Sequence, residues 1–95
     1  MLRYPLRFQP FITEDIRHLP PEIKRLVQSA LDEIARNPRA GTPLVGELSG
    51  FWKYAAKRYR IVYEMRQDKR EILVWLIDER RTVYQKLEIL IRQAR

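Results

Sequence analysis

Hydrophobic residues recur along the chain with two different periods, and each switch between periods marks an element. From Arg3 to Phe8, Tyr4, Leu6 and Phe8 alternate with Arg3 and Arg7, which predicts a short strand. Pro5 lacks a backbone donor, so this strand belongs at an edge or has one free side. From Phe11 to Leu19 the period lengthens. Phe11, Ile12, Ile16 and Leu19 share one face of a short helix, which Pro20 and Pro21 end. Pro21 suits the first turn of a second helix. There Ile23, Leu26, Val27, Ala30, Leu31 and Ile34 make a continuous apolar stripe, and Asn37-Pro38 stops it. Asp32 and Arg36 stand four apart on its polar side and are expected to pair. The two helices are expected to form a hairpin.

Residues 37–50 hold two of the prolines and all three glycines, so they read as a loop, with Leu44, Val45 and Leu48 as anchors into the core. Alternation then returns over Trp52–Lys57 and Tyr59–Arg66. Gln67-Asp68-Lys69-Arg70 is a polar turn. Glu71–Ile77 is almost wholly apolar, as a central strand covered on both faces would be. Short connections make these three strands antiparallel. The end of the chain reads as a helix: Thr82 with Gln85 three residues on matches a capping box. Its stripe of Val83, Leu87, Leu90, Ile91 and Ala94 must dock on the sheet or on a partner. The fold class is α+β: a small antiparallel sheet with an N-terminal helix hairpin on one face and a C-terminal helix.

Composition narrows the chemistry. Ninety-five residues fit one core, so residues 1–95 are expected to form a single domain. No apolar run approaches the roughly 20 residues of a membrane span, and the N-terminus lacks a secretory apolar segment. The expected location is therefore the cytoplasm, with no membrane partner. The absence of cysteine excludes a disulfide framework, a zinc–thiolate site and a thiol nucleophile. His18 is the sole histidine, which excludes histidine-rich metal sites and histidine-pair catalysis; it reads as a surface or helix-end side chain. No P-loop, GxGxxG, HExxH or GxSxG is present, and neither a metal nor a small-molecule cofactor is expected.

Charge adds a direction. Residues 1–50 carry seven Lys/Arg and six Asp/Glu, whereas residues 51–95 carry twelve and six. Nearly all of the net charge of +7 therefore sits in the second half, which suits a polyanionic partner, nucleic acid first or an acidic protein. Any phosphate chemistry must use side chains. Lys53 and Lys57 are expected on one face of one strand and Arg60 on the polar face of the next. Arg80 and Arg81 precede the C-terminal helix, and Tyr84 lies in its first turn. Helix N-terminal N–H groups attract anions. Two arginines beside them disfavour an empty helix dipole and, with forked guanidinium donors, favour a bound phosphate. The alternative is that Arg60, Arg80 and Arg81 pair with Glu64, Asp78 and Glu79. Likewise Tyr84 either serves this cluster or packs on Trp75 or Trp52. Tyr59 and Tyr63 share a face with Ile61 and belong to the core, and Trp52 reads as an anchor beneath the loop.

Leu48-Ser49-Gly50-Phe51-Trp52-Lys53, Tyr59-Arg60-Ile61-Val62-Tyr63, an apolar strand, then Arg80-Arg81-Thr82-Val83-Tyr84 resemble, in order and spacing, the RelE/ParE superfamily of bacterial toxins, RelE-like branch. The N-terminal order of strand, helix hairpin and Asn37-Pro38-Arg39 stop is similar too. The resemblance implies a curved sheet and the toxin of a type II toxin–antitoxin system. It implies a ribosome-dependent mRNA endonuclease in which the RNA 2′-OH attacks the adjacent phosphate without a metal. By position, Arg60 would stabilise phosphate charge, and Arg80, or Arg81 in its place, would serve the leaving oxygen. Tyr84 matches the family's proposed general base. A free phenol titrates near 10, so that role needs nearby cations. Lys53 would support Tyr84 or bind phosphate, and Lys57 and Arg58 would contact RNA. Phe51 stands where the family has a second lysine. The implied partners are the ribosome, mRNA and a cognate antitoxin with an acidic flexible segment. Two other readings stay open: a ParE-like toxin that inhibits DNA gyrase, and an inactive RNA-binding relative.

Overall fold

A computed structural model describes residues 3–94. The elements run β1 (Leu6–Phe8), α1 (Ile12–Arg17), α2 (Pro21–Arg36), β2 (Thr42–Pro43), β3 (Phe51–Ala56), β4 (Tyr59–Arg66), β5 (Glu71–Glu79) and α3 (Val83–Ala94). The sheet order is β1-β5-β4-β3-β2. β2, β3, β4 and β5 pair antiparallel in succession, as their short connections require. β1 is the exception. It lies parallel to β5, with Leu6 beside Ile72 and Phe8 beside Val74, so the sheet is mixed. The α1–α2 hairpin carries the chain from one sheet edge to the other, which is why this one pair runs parallel.

The two faces of the sheet hold two separate cores. Period-two alternation sends Tyr59, Ile61 and Tyr63 of β4 and Ile72, Val74 and Ile77 of β5 beneath the helix hairpin, where they meet Ile12, Val27, Ala30, Leu31 and Ile34. On the other face Val62 and Leu76 meet Val83 and Leu87 of α3. A bulge joins the two patterns. Val62 pairs with Leu76 but Tyr63 pairs with Val74, leaving Trp75 as the extra residue. Such an insertion bends and twists the strand. It also puts Trp75 on the α3 side, edge-on to Phe51 with ring centroids 5.2 Å apart.

Residues 37–50 are more ordered than a plain loop. They form two 3₁₀ turns and the short β2, which pairs with β3. Leu44 and Leu48 pack against the α3-side core as expected, but Val45 is 82% exposed and anchors nothing. Gly41 is set by close approach: a Cβ there would lie 2.5 Å from both the Lys53 carbonyl oxygen and the Tyr63 hydroxyl. That hydroxyl donates to the Pro38 carbonyl at 2.6 Å and ties the loop to the middle of the sheet. Burial, opposed by a hydrogen bond from the Gly41 backbone and reinforced by Tyr54, pushes the Tyr63 phenol up to about 12.

Other local expectations shift. Only Leu6–Phe8 of the first segment is strand. Arg36 pairs with Glu33 at 2.9 Å, while Asp32 pairs with Arg3. The Thr82 hydroxyl does not make the capping box with Gln85; it donates to Asp78 at 2.6 Å. No helix among the described residues is long and apolar enough to cross a membrane.

Candidate active site

Strand register decides which cations meet. Phe51, Lys53 and Ala55 of β3 stand across from Glu64, Val62 and Arg60 of β4. Paired residues share a face, so Lys53 and Arg60 both belong to the α3 side. They are one diagonal step apart, roughly 7 Å along the strands. α3 lies over Val62 and Leu76 on this face, and Tyr84 in its first turn packs with that core. The Lys53 ammonium sits 5.7 Å from the centroid of the Tyr84 ring. Lys53, Arg60 and Tyr84 are each half-buried, held by packing yet open to solvent. Tyr84 thus combines packing with the cation cluster: it lies against the Val62, Leu76, Val83 and Leu87 core and also borders Lys53.

The Arg60 guanidinium donates through one nitrogen to the carbonyls of Lys57 and Tyr59, both at 2.8 Å. It binds no carboxylate among the described residues. Two of the three acidic side chains in the alternative reading, Glu64 and Asp78, are engaged elsewhere, and Glu79 pairs with no arginine among the described residues. Glu64 accepts from the Trp75 indole at 3.1 Å and lies 4.0 Å from Arg66. Asp78, directly across from Arg60 in the register, takes the Thr82 hydroxyl and the Lys86 ammonium at 3.0 Å. Partial burial raises the Asp78 pKa, but hydrogen bonds from Thr82, Lys86 and the Glu79 backbone, with the Lys86 charge, outweigh that and hold it below the ordinary carboxylate value. The spacing of Asp78, Thr82 and Lys86 in steps of four was the available signal for this clamp, but it spans a strand end and a helix start.

The remaining candidates divide. Arg80 and Arg81 are exposed in the turn before α3, and no ion pair engages either side chain among the described residues. The Arg80 backbone N–H donates to the Arg58 carbonyl at 2.8 Å, which fastens this turn to the β3–β4 turn and to Arg60 beyond it. Lys57 lies outside β3, at φ 55° in the hairpin turn, so it does not share a strand face with Lys53. Arg58 places its guanidinium 5.7 Å from the ring of Tyr59, a residue of the hairpin-side core, and so is drawn away from Lys53 and Tyr84. Phe51, in place of a lysine, makes an apolar shelf with Trp75 beside the cations. Trp52 stacks on Tyr63 under the loop, with centroids 6.4 Å apart.

A helix hairpin on one face, a short mixed sheet, and a third helix starting among arginines on the other face define the class: a small α+β toxin of the RelE/ParE type. The chain belongs to the family described as the ParE toxin of type II toxin–antitoxin system, parDE, whose model matches residues 6–84. It is 29% identical over 85 residues to the toxin RelG of Mycobacterium tuberculosis, a match covering 87% of this chain and 98% of that protein. Its fold is similar to a chain of the toxin–antitoxin complex RelBE2 of the same organism, with a TM-score of 0.72 and 30% identity over 83% of this chain and 100% of that one. The isolated Escherichia coli RelE toxin shares the fold at a TM-score of 0.69 and 21% identity, over 80% and 83% of the two chains.

Proposed function

We propose that this toxin is a ribosome-dependent mRNA endonuclease acting by metal-independent 2′-OH attack. The observation that carries the reading is Arg60: a half-buried guanidinium on the face shared with Lys53 and Tyr84, with Asp78, the carboxylate across from it, bound by Thr82 and Lys86. A phosphate entering this face meets no competing carboxylate on Arg60. The 2′-oxygen attacks phosphorus, a new P–O2′ bond forms, and the P–O5′ bond breaks. Tyr84 takes the 2′-OH proton as its phenolate and becomes the neutral phenol, and Lys53 beside its ring favours the phenolate before attack. Arg60 stabilises the charge gathering on the phosphate oxygens. Arg80 or Arg81 stabilises the departing 5′-oxygen, which takes a proton from that guanidinium or from solvent water and leaves as a hydroxyl. The other product is a cyclic 2′,3′-phosphate. Lys57 and Arg58 hold RNA at the rim of the hairpin turn.

Solved complexes of similar toxins contain an antitoxin, as in RelBE2, and a cognate antitoxin with an acidic, flexible segment fits the basic second half of this chain. The test is induced expression in bacteria with primer extension on an abundant translated mRNA. Cuts within codons that vanish in Arg60→Ala support the reading. The family model's ParE name and the apolar Phe51 favour a second reading, a toxin directed at DNA gyrase. Growth arrest without cuts, with blocked supercoiling by purified protein, would establish it instead.

A further inference from the structure

At the far end of β4 from Arg60 lies a groove of about 480 Å³ lined by Arg3, Tyr4, Arg39, Arg66, Arg70 and Glu71. Six residues of strand separate the two ends, roughly 20 Å, so this groove is distinct from the candidate active site. Its cations are poorly neutralised. Arg39 and Arg70 have no carboxylate partner among the described residues. Arg66 reaches Glu64 only at 4.0 Å, and Arg3 holds Asp32 in a solvent-exposed pair. Glu71, the carboxylate in the lining, is taken by Arg7 at 3.1 Å.

The backbone supplies an independent observation. Arg70 closes the β4–β5 turn at φ 51°, a left-handed conformation that an L-residue adopts at a cost and glycine adopts freely. No hydrogen bond or ion pair of the Arg70 side chain offsets that cost among the described residues. An unoffset strained residue points to a role outside the fold.

We infer that this groove binds RNA backbone, as a second contact separate from the strand presented to Arg60. Four guanidinium forks suit phosphodiester oxygens, and the Tyr4 ring, 39% exposed in the same groove, offers a platform for a base. An acidic peptide that folds on binding needs apolar anchorage. Here the apolar residues, Tyr4, Pro5 and Met65, are outnumbered by four arginines. Phe11, Leu76, Ile89 and Leu90 provide such anchorage in a different groove, between α1 and α3. The inference holds whether or not the open face cuts RNA.

The experiment is fluorescence anisotropy of the full chain with a labelled 2′-O-methyl oligouridine, which has no 2′-OH nucleophile and cannot be cleaved. Affinity is read against salt. Each phosphate contact to a single strand contributes a slope of about 0.7 in log K against log salt, so Arg39→Gln with Arg70→Gly lowers the slope by about 1.4. The same double variant keeps or raises its thermal midpoint, because glycine relieves the left-handed turn. Tyr4→Leu weakens binding with the slope unchanged. An unaltered slope in the double variant overturns the inference. So does an oligoglutamate that displaces the probe at lower concentration than unlabelled oligouridine does, since the groove would then be a site for an acidic protein.

Discussion

The face of the sheet beneath α1 and α2 holds Ile12, Ile34, Ile61, Tyr63, Ile72 and Val74 with no exposed surface. The face beneath α3 fully buries far less, Val62, Val83 and Leu87 among its members, and leaves Lys53, Arg60 and Tyr84 half-open beside them. One face is closed by a 16-residue helix and its short partner. The other is covered in part, by α3 of 12 residues. Partial cover is what lets cations gather: ammonium and guanidinium groups keep contact with water while their stems pack on apolar neighbours. The larger buried core and the half-open candidate cations thus lie on opposite sides of one sheet only a single layer thick, and under the proposed function substitutions should separate stability from chemistry.

The largest separation is expected from Arg60→Ala with Tyr84→Phe. Removing one preorganised donor costs about 10²–10³ in rate, and removing a general base costs about 10²–10⁴, so mRNA cleavage should fall below detection and growth arrest should disappear. Circular dichroism should show an unchanged fold, because neither side chain is fully buried. A double variant that still arrests growth would break the assignment of chemistry to the open face.

Ile61→Ala tests the opposite face. Truncating a fully buried isoleucine leaves a cavity and costs roughly 2–5 kcal/mol, a large share of the stability of a domain this small. Urea unfolding measures the loss. The fraction that remains folded should cut at the wild-type rate. A folded Ile61→Ala protein that cuts more slowly would show the two faces to be coupled.

The same contrast explains what was legible in the sequence. The helix stripe from Ile23 to Ile34 and the alternation of β4 are strongly periodic, so the hairpin-side face could be read almost residue by residue. The order of the strands after Gly50 followed from short connections. Three features could not be read. The parallel pairing of β1 depends on where the hairpin returns the chain, which no local pattern records. The pairing of β2 with β3 joins residues 9 and 11 apart in sequence, and the approach of Gly41 to Tyr63 joins residues 22 apart. The bulge at Trp75 has no residue signature and decides that Trp75 faces Phe51. That Lys53 and Arg60 share a face was legible because register follows from alternation. Lys57 was misplaced on the Lys53 face because it stands at positive φ in the hairpin turn, beyond the alternation of β3.

Tyr63 sharpens the comparison on the closed side through pH. Its phenol is raised to about 12 in the folded protein, first by burial, against about 10 in an unfolded chain. A raised value means that the stabilising contribution is complete below about pH 10 and is lost as pH rises toward 12. The loss is at most about 3 kcal/mol. Unfolding measured between pH 9 and 12 should show this fall. Tyr63→Phe should remove much of the fall and cost about 1–3 kcal/mol at neutral pH, because the Pro38 carbonyl loses its buried donor. A wild-type protein whose stability stays flat to pH 12 would show that the phenol is not held neutral.

The smallest effect on stability, and the finest test of the open side, comes from the clamp that keeps Asp78 away from Arg60. Lys86→Met removes the charged partner of Asp78, a half-exposed ion pair worth no more than about 1 kcal/mol. Its consequence for chemistry should be larger than its consequence for stability. Asp78 stands directly across from Arg60, where paired side chains lie roughly 5 Å apart, so the freed carboxylate competes with phosphate for the guanidinium. Lys86→Met should therefore slow cleavage, and adding Asp78→Asn should restore it, since the amide carries no charge to compete. Acid probes the same group. Its lowered pKa means that the clamp contributes stability above roughly pH 4 and loses that contribution as pH falls through the folded value. If the double variant cuts no faster than Lys86→Met alone, Asp78 does not compete for Arg60, and the open face owes its free cation to something other than this clamp.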